Sequence, residues 1–174
     1  GWRIATGLDD LGGGRFAAPE YDVLVDFPIE IGRFQPLEFR HGGIPHRLVI
    51  HGHGNYDTAR MLRVFRKIVA EESRMMRGLP YRHYTFLLHT VADGGGGLEH
   101  RNSASLQFPP YQFRPREKYE NFLELVAHEF FHLWNVKRIH PEVLGPFDYE
   151  REAYTSILWV MEGVTSYYDT LIPC

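Results

Sequence analysis

The sequence predicts a mixed α+β fold in one domain, because strand-like segments of alternating polarity are followed by two long segments of helical periodicity. The chain has 174 residues, 44% of them hydrophobic and 24% charged, which is ordinary for a globular protein with a single core. The formal net charge is −3, and no apolar run reaches the ~20 residues of a membrane helix. We therefore expect neither nucleic acid nor a membrane as a partner.

Four segments are predicted to be strands. Residues 36–40 (PLEFR) and 46–52 (HRLVIHG) alternate apolar and polar side chains. Residues 81–90 (YRHYTFLLHT) are rich in aromatic and β-branched side chains, and residues 98–108 (LEHRNSASLQF) follow after a glycine-rich turn. We expect the last two strands to pair antiparallel. The first 35 residues carry only loop signals around a short apolar run, YDVLVDFPIEIG.

Three helices are predicted. They run from Asn55 or Asp57 to about Arg77, from about Arg116 to Arg138, and from Asp148 to about Leu171. Asp57 and Asp148 are candidate N-caps, because a short acceptor side chain there satisfies a free N–H of the first turn. Pro115 suits the start of the second helix, where its missing N–H is not needed. The only cysteine is Cys174, so no disulfide can form within the chain, which fits a reducing compartment without requiring one.

The stretch AHEFFHLWN, residues 127–135, carries the H-E-x-x-H pattern of a zinc site. Residues four apart lie on one face of a helix, so the imidazoles of His128 and His132 can bind the same ion. Glu129 lies at the edge of that face and is the candidate general base, since it can reach a water on the metal. The alternative is a helix with two surface histidines. The apolar neighbours favour a metal, because buried imidazoles need partners.

A catalytic zinc site keeps three protein ligands and an open water position. Glu162 is the candidate third ligand, because it stands in a strongly apolar stretch of the last helix, ILWVMEGVTSYYD. A carboxylate in such surroundings is costly unless it is paired or binds a metal. A partly exposed helical glutamate remains the alternative for Glu162, and cobalt or manganese remain alternatives to one zinc ion.

Three stretches together resemble the glycyl aminopeptidase family of gluzincin zinc metallopeptidases, whose members often carry a PDZ domain. They are HEFFHLWNVKRIHPEVLGPFDYE, YTSILWVMEGVTSYYDTL and GGLEHRNS. The resemblance implies a fragment of a thermolysin-like catalytic domain, with a small sheet whose edge strand lies over the active-site helix. Residues 1–174 would form this single domain, and the N-terminal β-domain, the helical C-terminal part and the PDZ domain of the longer family proteins would be absent.

The resemblance also implies roles for individual residues. His128, His132 and Glu162 would hold one zinc ion, and Glu129 would be the base and proton shuttle for hydrolysis of a peptide substrate. The stretch GGLEH is similar to the G-x-M-E-N stretch of related aminopeptidases, so Glu99 would bind the free amino terminus of the substrate. Gly96 and Gly97 would let the substrate backbone lie close to an edge strand.

The sequence departs from the related aminopeptidases at two positions of this stretch, with His100 in place of asparagine and Leu98 in place of methionine. Related enzymes also use a tyrosine to stabilise the oxyanion. Tyr149 and Tyr154 are nearby candidates, but no motif selects either, and we leave the role unassigned.

The leading hypothesis is therefore a zinc aminopeptidase that prefers small N-terminal residues such as glycine. A zinc endopeptidase of the same fold is the first alternative, and Glu99 separates the two. The second alternative is an inactive, metal-stabilised interaction domain, against which the intact HEFFH argues. The sequence indicates no oligomeric state and does not decide between cytoplasm and periplasm.

Overall fold

A computed structural model of the chain describes residues 1–173. Its elements are, in order, β1 (Arg3–Thr6), β2 (Asp9–Gly12), β3 (Arg15–Ala17), α1 (Tyr21–Asp26), β4 (Ile29–Gly32), β5 (Leu37–His41), β6 (Ile44–His51), α2 (Thr58–Met75), β7 (Tyr84–Thr90), β8 (Gly96–Glu99), β9 (Ser103–Phe108), α3 (Arg116–Phe131), a 3₁₀ turn (Glu142–Leu144) and α4 (Leu158–Leu171). The predicted α+β class is confirmed. The finer thermolysin-like arrangement stays a prediction.

The largest sheet has five strands in the order β5-β6-β7-β9-β8. The three inner strands, β6, β7 and β9, are parallel to one another, while the two edge strands pair antiparallel with their neighbours. Strand β8 is therefore an edge whose outer backbone groups have no strand partner among residues 1–173 in this sheet. Helix α3 packs against both β8 and β9, which places the histidine pair beneath this edge.

Buried aromatic rings join α2 and α3 to the sheet. Phe65 of α2, Phe86 of β7 and Phe130 of α3 have no exposed surface. The ring centroids of Phe65 and Phe86 are 4.8 Å apart, and those of Phe86 and Phe130 are 5.7 Å apart. Such pairs contribute about 0.5–1.5 kcal/mol beyond the burial of their area. Because Phe130 lies between His128 and His132, this packing also fixes the orientation of the histidine face of α3.

The strands predicted over residues 36–40, 46–52 and 81–90 and the helix predicted to end near Arg77 are confirmed. Asp57 caps α2, because its carboxylate accepts a hydrogen bond from the N–H of Arg60 at 2.9 Å.

The predicted antiparallel pairing of residues 81–90 with 98–108 is wrong. The later segment divides into β8 and β9 at a turn, where the N–H of His100 donates to the carbonyl of Ser103 at 2.9 Å. Strand β9 runs parallel to β7, and its antiparallel partner is β8. The reason is that β8 passes β7 and occupies the edge, and the turn then brings the chain back between them.

The second predicted helix ends earlier than expected, at Phe131 rather than Arg138. After His132, the N–H groups of Leu133 and Trp134 bond three residues back, to the carbonyls of Phe130 at 3.1 Å and Phe131 at 3.0 Å. This tightening accompanies a hydrogen bond from the His132 ring to the carbonyl of Asn135.

The last predicted helix begins ten residues later than expected, at Leu158. The carboxylate of Asp148 accepts the N–H of Glu150 at 3.0 Å, which forms a local turn instead of a helix N-terminus.

The first 35 residues hold more structure than the sequence indicated. Strands β1 and β4 form one antiparallel ribbon and β2 and β3 another. Helix α1 is anchored by Val23 and the adjacent Phe27, which pack with Leu8. None of the described helices is both long and apolar enough to span a membrane.

Candidate active site

The three predicted metal ligands come together between α3 and α4. The Nε2 atoms of His128 and His132 are 3.0 Å apart. Oε2 of Glu162 is 3.2 Å from Nε2 of His128 and 3.7 Å from Nε2 of His132. Zinc bonds of 2.0–2.1 Å in a tetrahedral site separate neighbouring ligand atoms by about 3.3 Å. The three observed distances lie on both sides of that value.

The hydrogen bonds behind the imidazoles direct their Nε2 lone pairs at each other. Nδ1 of His132 is 2.8 Å from the carbonyl oxygen of Asn135, which can only accept, so Nδ1 carries the hydrogen. Nδ1 of His128 is 2.7 Å from Oδ2 of Asp169. Two lone pairs and a carboxylate oxygen therefore face one point, an arrangement that repels unless a cation or a proton lies there. The donor set fits zinc, whose catalytic sites use imidazoles with a carboxylate.

Three residues that support the ligands were missed by the sequence analysis. They are Asp169, which bonds His128, and the pair Asn135 and Thr165. The side-chain amide of Asn135 donates to the carbonyl of Met161 at 2.9 Å and to the hydroxyl of Thr165 at 3.0 Å. These contacts tie the segment after His132 to α4. Their spacing in the sequence could have indicated this role for Thr165 and Asp169. They follow Glu162 by three and seven residues, which puts them on the same side of the helix.

Glu129 lies beside the three donor atoms. Its side chain is buried, and Oε2 has no hydrogen-bond partner among the described residues. Burial, together with the carboxylates of Glu99 and Glu162, raises the pKa of Glu129 to about 8. A buried carboxylate in this position can exchange a proton with a group bound beside the two imidazoles.

Strand β8 lies directly over Glu129. A Cβ atom added at Gly97 would lie 2.4 Å from Cγ and 2.6 Å from Oε1 of Glu129, so the glycine backbone contacts the carboxylate. Ligand atoms of Glu99, Glu129 and His132 lie within 4.8 Å of one another. The structure thus brings Gly97 and Glu99 to the site, and Gly96 begins the same strand with φ +93°.

The surroundings of Glu162 differ from the expectation. Its side chain is 54% exposed, and the neighbouring Leu158 and Trp159 are exposed as well. The face of α4 that is buried carries Met161, Thr165 and Asp169. The apolar residues next to Glu162 in the sequence therefore did not indicate that its side chain is buried. Its carboxylate still points to the two histidines.

The two tyrosine candidates for the oxyanion role have other partners. The hydroxyl of Tyr149 donates to Asp22 of α1 at 2.7 Å, and that of Tyr154 donates to Glu152. Neither contact connects a tyrosine to the donor atoms, and the role remains unassigned.

Comparison with known proteins bears on the segment that carries the ligands. Residues 121–174 match the family model described as M61 glycyl aminopeptidase. Among solved structures, the chain is similar to an aminopeptidase N family protein from Idiomarina loihiensis, with 38% identity and a TM-score of 0.87. That match covers 97% of this chain and 30% of the other. No curated protein matches.

The chain thus spans less than a third of the length of this structural relative. The matched family segment includes all three residues of the donor triangle and Glu129. The chain therefore belongs to the M61 glycyl aminopeptidase family, as the sequence predicts.

Proposed function

We propose that this chain is the zinc-binding and substrate-aligning part of the catalytic domain of an aminopeptidase. The observation that supports this most strongly is the triangle of two imidazole nitrogens and one carboxylate oxygen, with sides of 3.0, 3.2 and 3.7 Å, beside the buried Glu129. The substrate would be a peptide with a small N-terminal residue such as glycine. Residues 1–174 would all belong to this one domain.

In this proposal His128, His132 and Glu162 hold the zinc ion. The bound ion would act as a Lewis acid and would lower the pKa of a water molecule bound to it. Glu129 accepts a proton from the attacking water and passes it to the nitrogen of the leaving amine, a transfer for which its carboxylate must lie within hydrogen-bond reach of both. Asp169 and the carbonyl of Asn135 hold the imidazoles in the tautomer that presents Nε2.

Substrate binding would use β8. An extended peptide can pair with the outer backbone groups of an edge strand, and the absence of a side chain at Gly97 allows close approach. Glu99, at the end of the same strand, would receive the ammonium group of the peptide. The order along the strand is then Gly97 beside Glu129, followed by Glu99 on the amino-terminal side of the scissile bond.

The first experiment on this proposal is Glu129→Gln. We expect the variant to bind zinc as the wild type does, because Glu129 is not a ligand in the proposal, and to lose at least 10²-fold in kcat, because an amide accepts no proton. Zinc content and hydrolysis of glycyl-7-amido-4-methylcoumarin would be measured on the same samples. Near-wild-type turnover in the zinc-loaded variant would remove Glu129 from the mechanism.

An endopeptidase of the same fold is the second candidate, because the outer edge of β8 has no strand partner in the sheet. The test is N-acetylation of the glycyl substrate. An aminopeptidase that binds the ammonium group through Glu99 should lose nearly all activity on the acetylated compound. Equal rates on the two compounds would favour the endopeptidase. Zinc binding without hydrolysis of either compound would favour the inactive interaction domain.

A further inference from the structure

Strand β8 ends at Glu99, and under the proposed function, on which the following inference rests, the region beyond Glu99 limits how far a bound peptide can extend. The N–H of His100 points towards β9, because it donates to the carbonyl of Ser103. Since backbone groups alternate along a strand, the N–H of Glu99, the last residue of β8, faces the open edge, and Arg101 lies in the turn that leads into β9. Beyond Glu99, the next backbone N–H that does not bond β9 is that of Arg101.

This donor is already occupied. Oδ2 of Asp26, the last residue of α1, accepts the N–H of Arg101 at 2.8 Å. Oδ1 of the same carboxylate is 2.7 Å from Nζ of Lys137, five residues beyond the ligand His132. The side chains of Asp26 and Lys137 are only 15% and 22% exposed. The ion pair is thus a partly buried contact at the end of β8.

The charge of Asp26 persists over the working range of a peptidase. Burial raises its pKa, but hydrogen bonds to His100 and Lys137 outweigh this and lower it to about 2. The supporting helix is itself held in place, since Val23 and Phe27 on either side of Asp26 are buried with Leu8. Asp26 is therefore a fixed acceptor rather than a mobile surface carboxylate.

The position of the Asp26–Arg101 contact just past β8 bears on which peptides the proposed site accepts. Gly97 lies beside Glu129, Glu99 lies two residues further at the end of β8, and Arg101 lies in the turn immediately beyond. A peptide residue upstream of the one at Glu99 would need the space beside Arg101, past the end of β8. We propose that Asp26, held by Lys137, closes the substrate groove there, so that a bound peptide must end with its amino-terminal residue at Glu99.

The test compares Asp26→Ala with the wild type in the zinc-loaded protein. The measured quantity is the ratio of kcat/KM for N-acetylglycyl-7-amido-4-methylcoumarin to that for the free glycyl compound. We expect the ratio to rise at least tenfold in the variant, because the acetyl group gains the space and the backbone donor that Asp26 occupies. A ratio within twofold of the wild-type value in a folded variant would overturn the proposal.

Two further variants test whether a change in the ratio comes from the carboxylate of Asp26 itself. Asp22→Ala removes another carboxylate of α1, one that bonds the hydroxyl of Tyr149, and should leave the ratio unchanged. Asp26→Asn keeps the shape of the side chain but not the charge that holds Lys137, and should give an intermediate increase even where the alanine variant unfolds. Thermal melting would establish that each variant is folded.

A second measurement does not depend on activity. Amide hydrogen exchange at Arg101 in the metal-free protein should be at least tenfold faster in Asp26→Ala than in the wild type, with Asp26→Asn between the two because its amide oxygen can still accept the N–H. Unchanged exchange would overturn the capping contact. If the wild type hydrolyses neither coumarin compound, the proposed function fails by itself, and the exchange rates still decide whether Asp26 occupies the edge.

Discussion

Replacing Asp169 tests whether the residues behind the ligands shape the metal site. Its carboxylate is 2.7 Å from Nδ1 of His128, and the two side chains are 11% and 19% exposed. A hydrogen bond to a charged partner in such a position contributes about 1.5–3 kcal/mol. Because a factor of ten corresponds to ~1.4 kcal/mol, Asp169→Ala should weaken zinc binding by about 10- to 100-fold. Asp169→Asn keeps a neutral acceptor and should lose roughly half of that free energy.

The assay is a zinc titration in competition with a chromogenic chelator at constant pH. Asp148→Ala is the matched control, because Asp148 is an exposed carboxylate whose contacts, to the N–H of Glu150 and to Arg151, are local. The account requires the order wild type, asparagine, alanine in falling affinity, with the control at the wild-type value. If a folded Asp169→Ala variant bound zinc within twofold of the wild type, the proposed support of His128 would be refuted.

Two other predictions follow from contacts at β8 and in the core. Gly97→Ala should lower kcat about tenfold or more while zinc is retained, because the added Cβ would displace the carboxylate of Glu129. Gly95→Ala is the control, since a Cβ there meets nothing within 4 Å and the variant should act as the wild type does. Equal kcat for the two variants would contradict the contact between Gly97 and Glu129. Burial lowers the pKa of His46 to about 4, below the ~6.5 of an unfolded histidine, so stability present above pH 6.5 is lost as the pH falls towards 4. Between pH 7 and pH 5 the metal-free wild type should lose about 2 kcal/mol more unfolding free energy than His46→Gln in urea titrations, and equal losses would refute the assignment.

Local patterns predicted those elements whose signals are local. Helix α2 has an acceptor at Asp57 to begin it and a helical apolar repeat to bury, and both features are visible in the letters. The histidine spacing in α3 likewise follows from helix geometry. The same reasoning placed Asp148 at a helix start, but its carboxylate bonds a neighbour two residues away and forms a turn.

Pairings that are distant along the chain could not be predicted in the same way. The sequence of residues 81–108 does not indicate that β8 passes β7 to form the edge of the sheet, because strand order depends on what each face of a strand packs against. The contact between Asp26 and Lys137 joins residues 111 positions apart. Asp169 was within reach, since it lies two helical turns from Glu162, but a single aspartate in a helix has too many other roles to be assigned from spacing alone.

The zinc content of the purified protein beside that of Glu162→Ala tests the central claim most directly. Glu150→Ala, which removes an exposed carboxylate from the segment before α4, is the control. The account predicts about one zinc per chain by elemental analysis for the wild type and the control, and a large loss for Glu162→Ala. Equal zinc in all three proteins, or none in any of them after incubation with zinc, would contradict the three-ligand site.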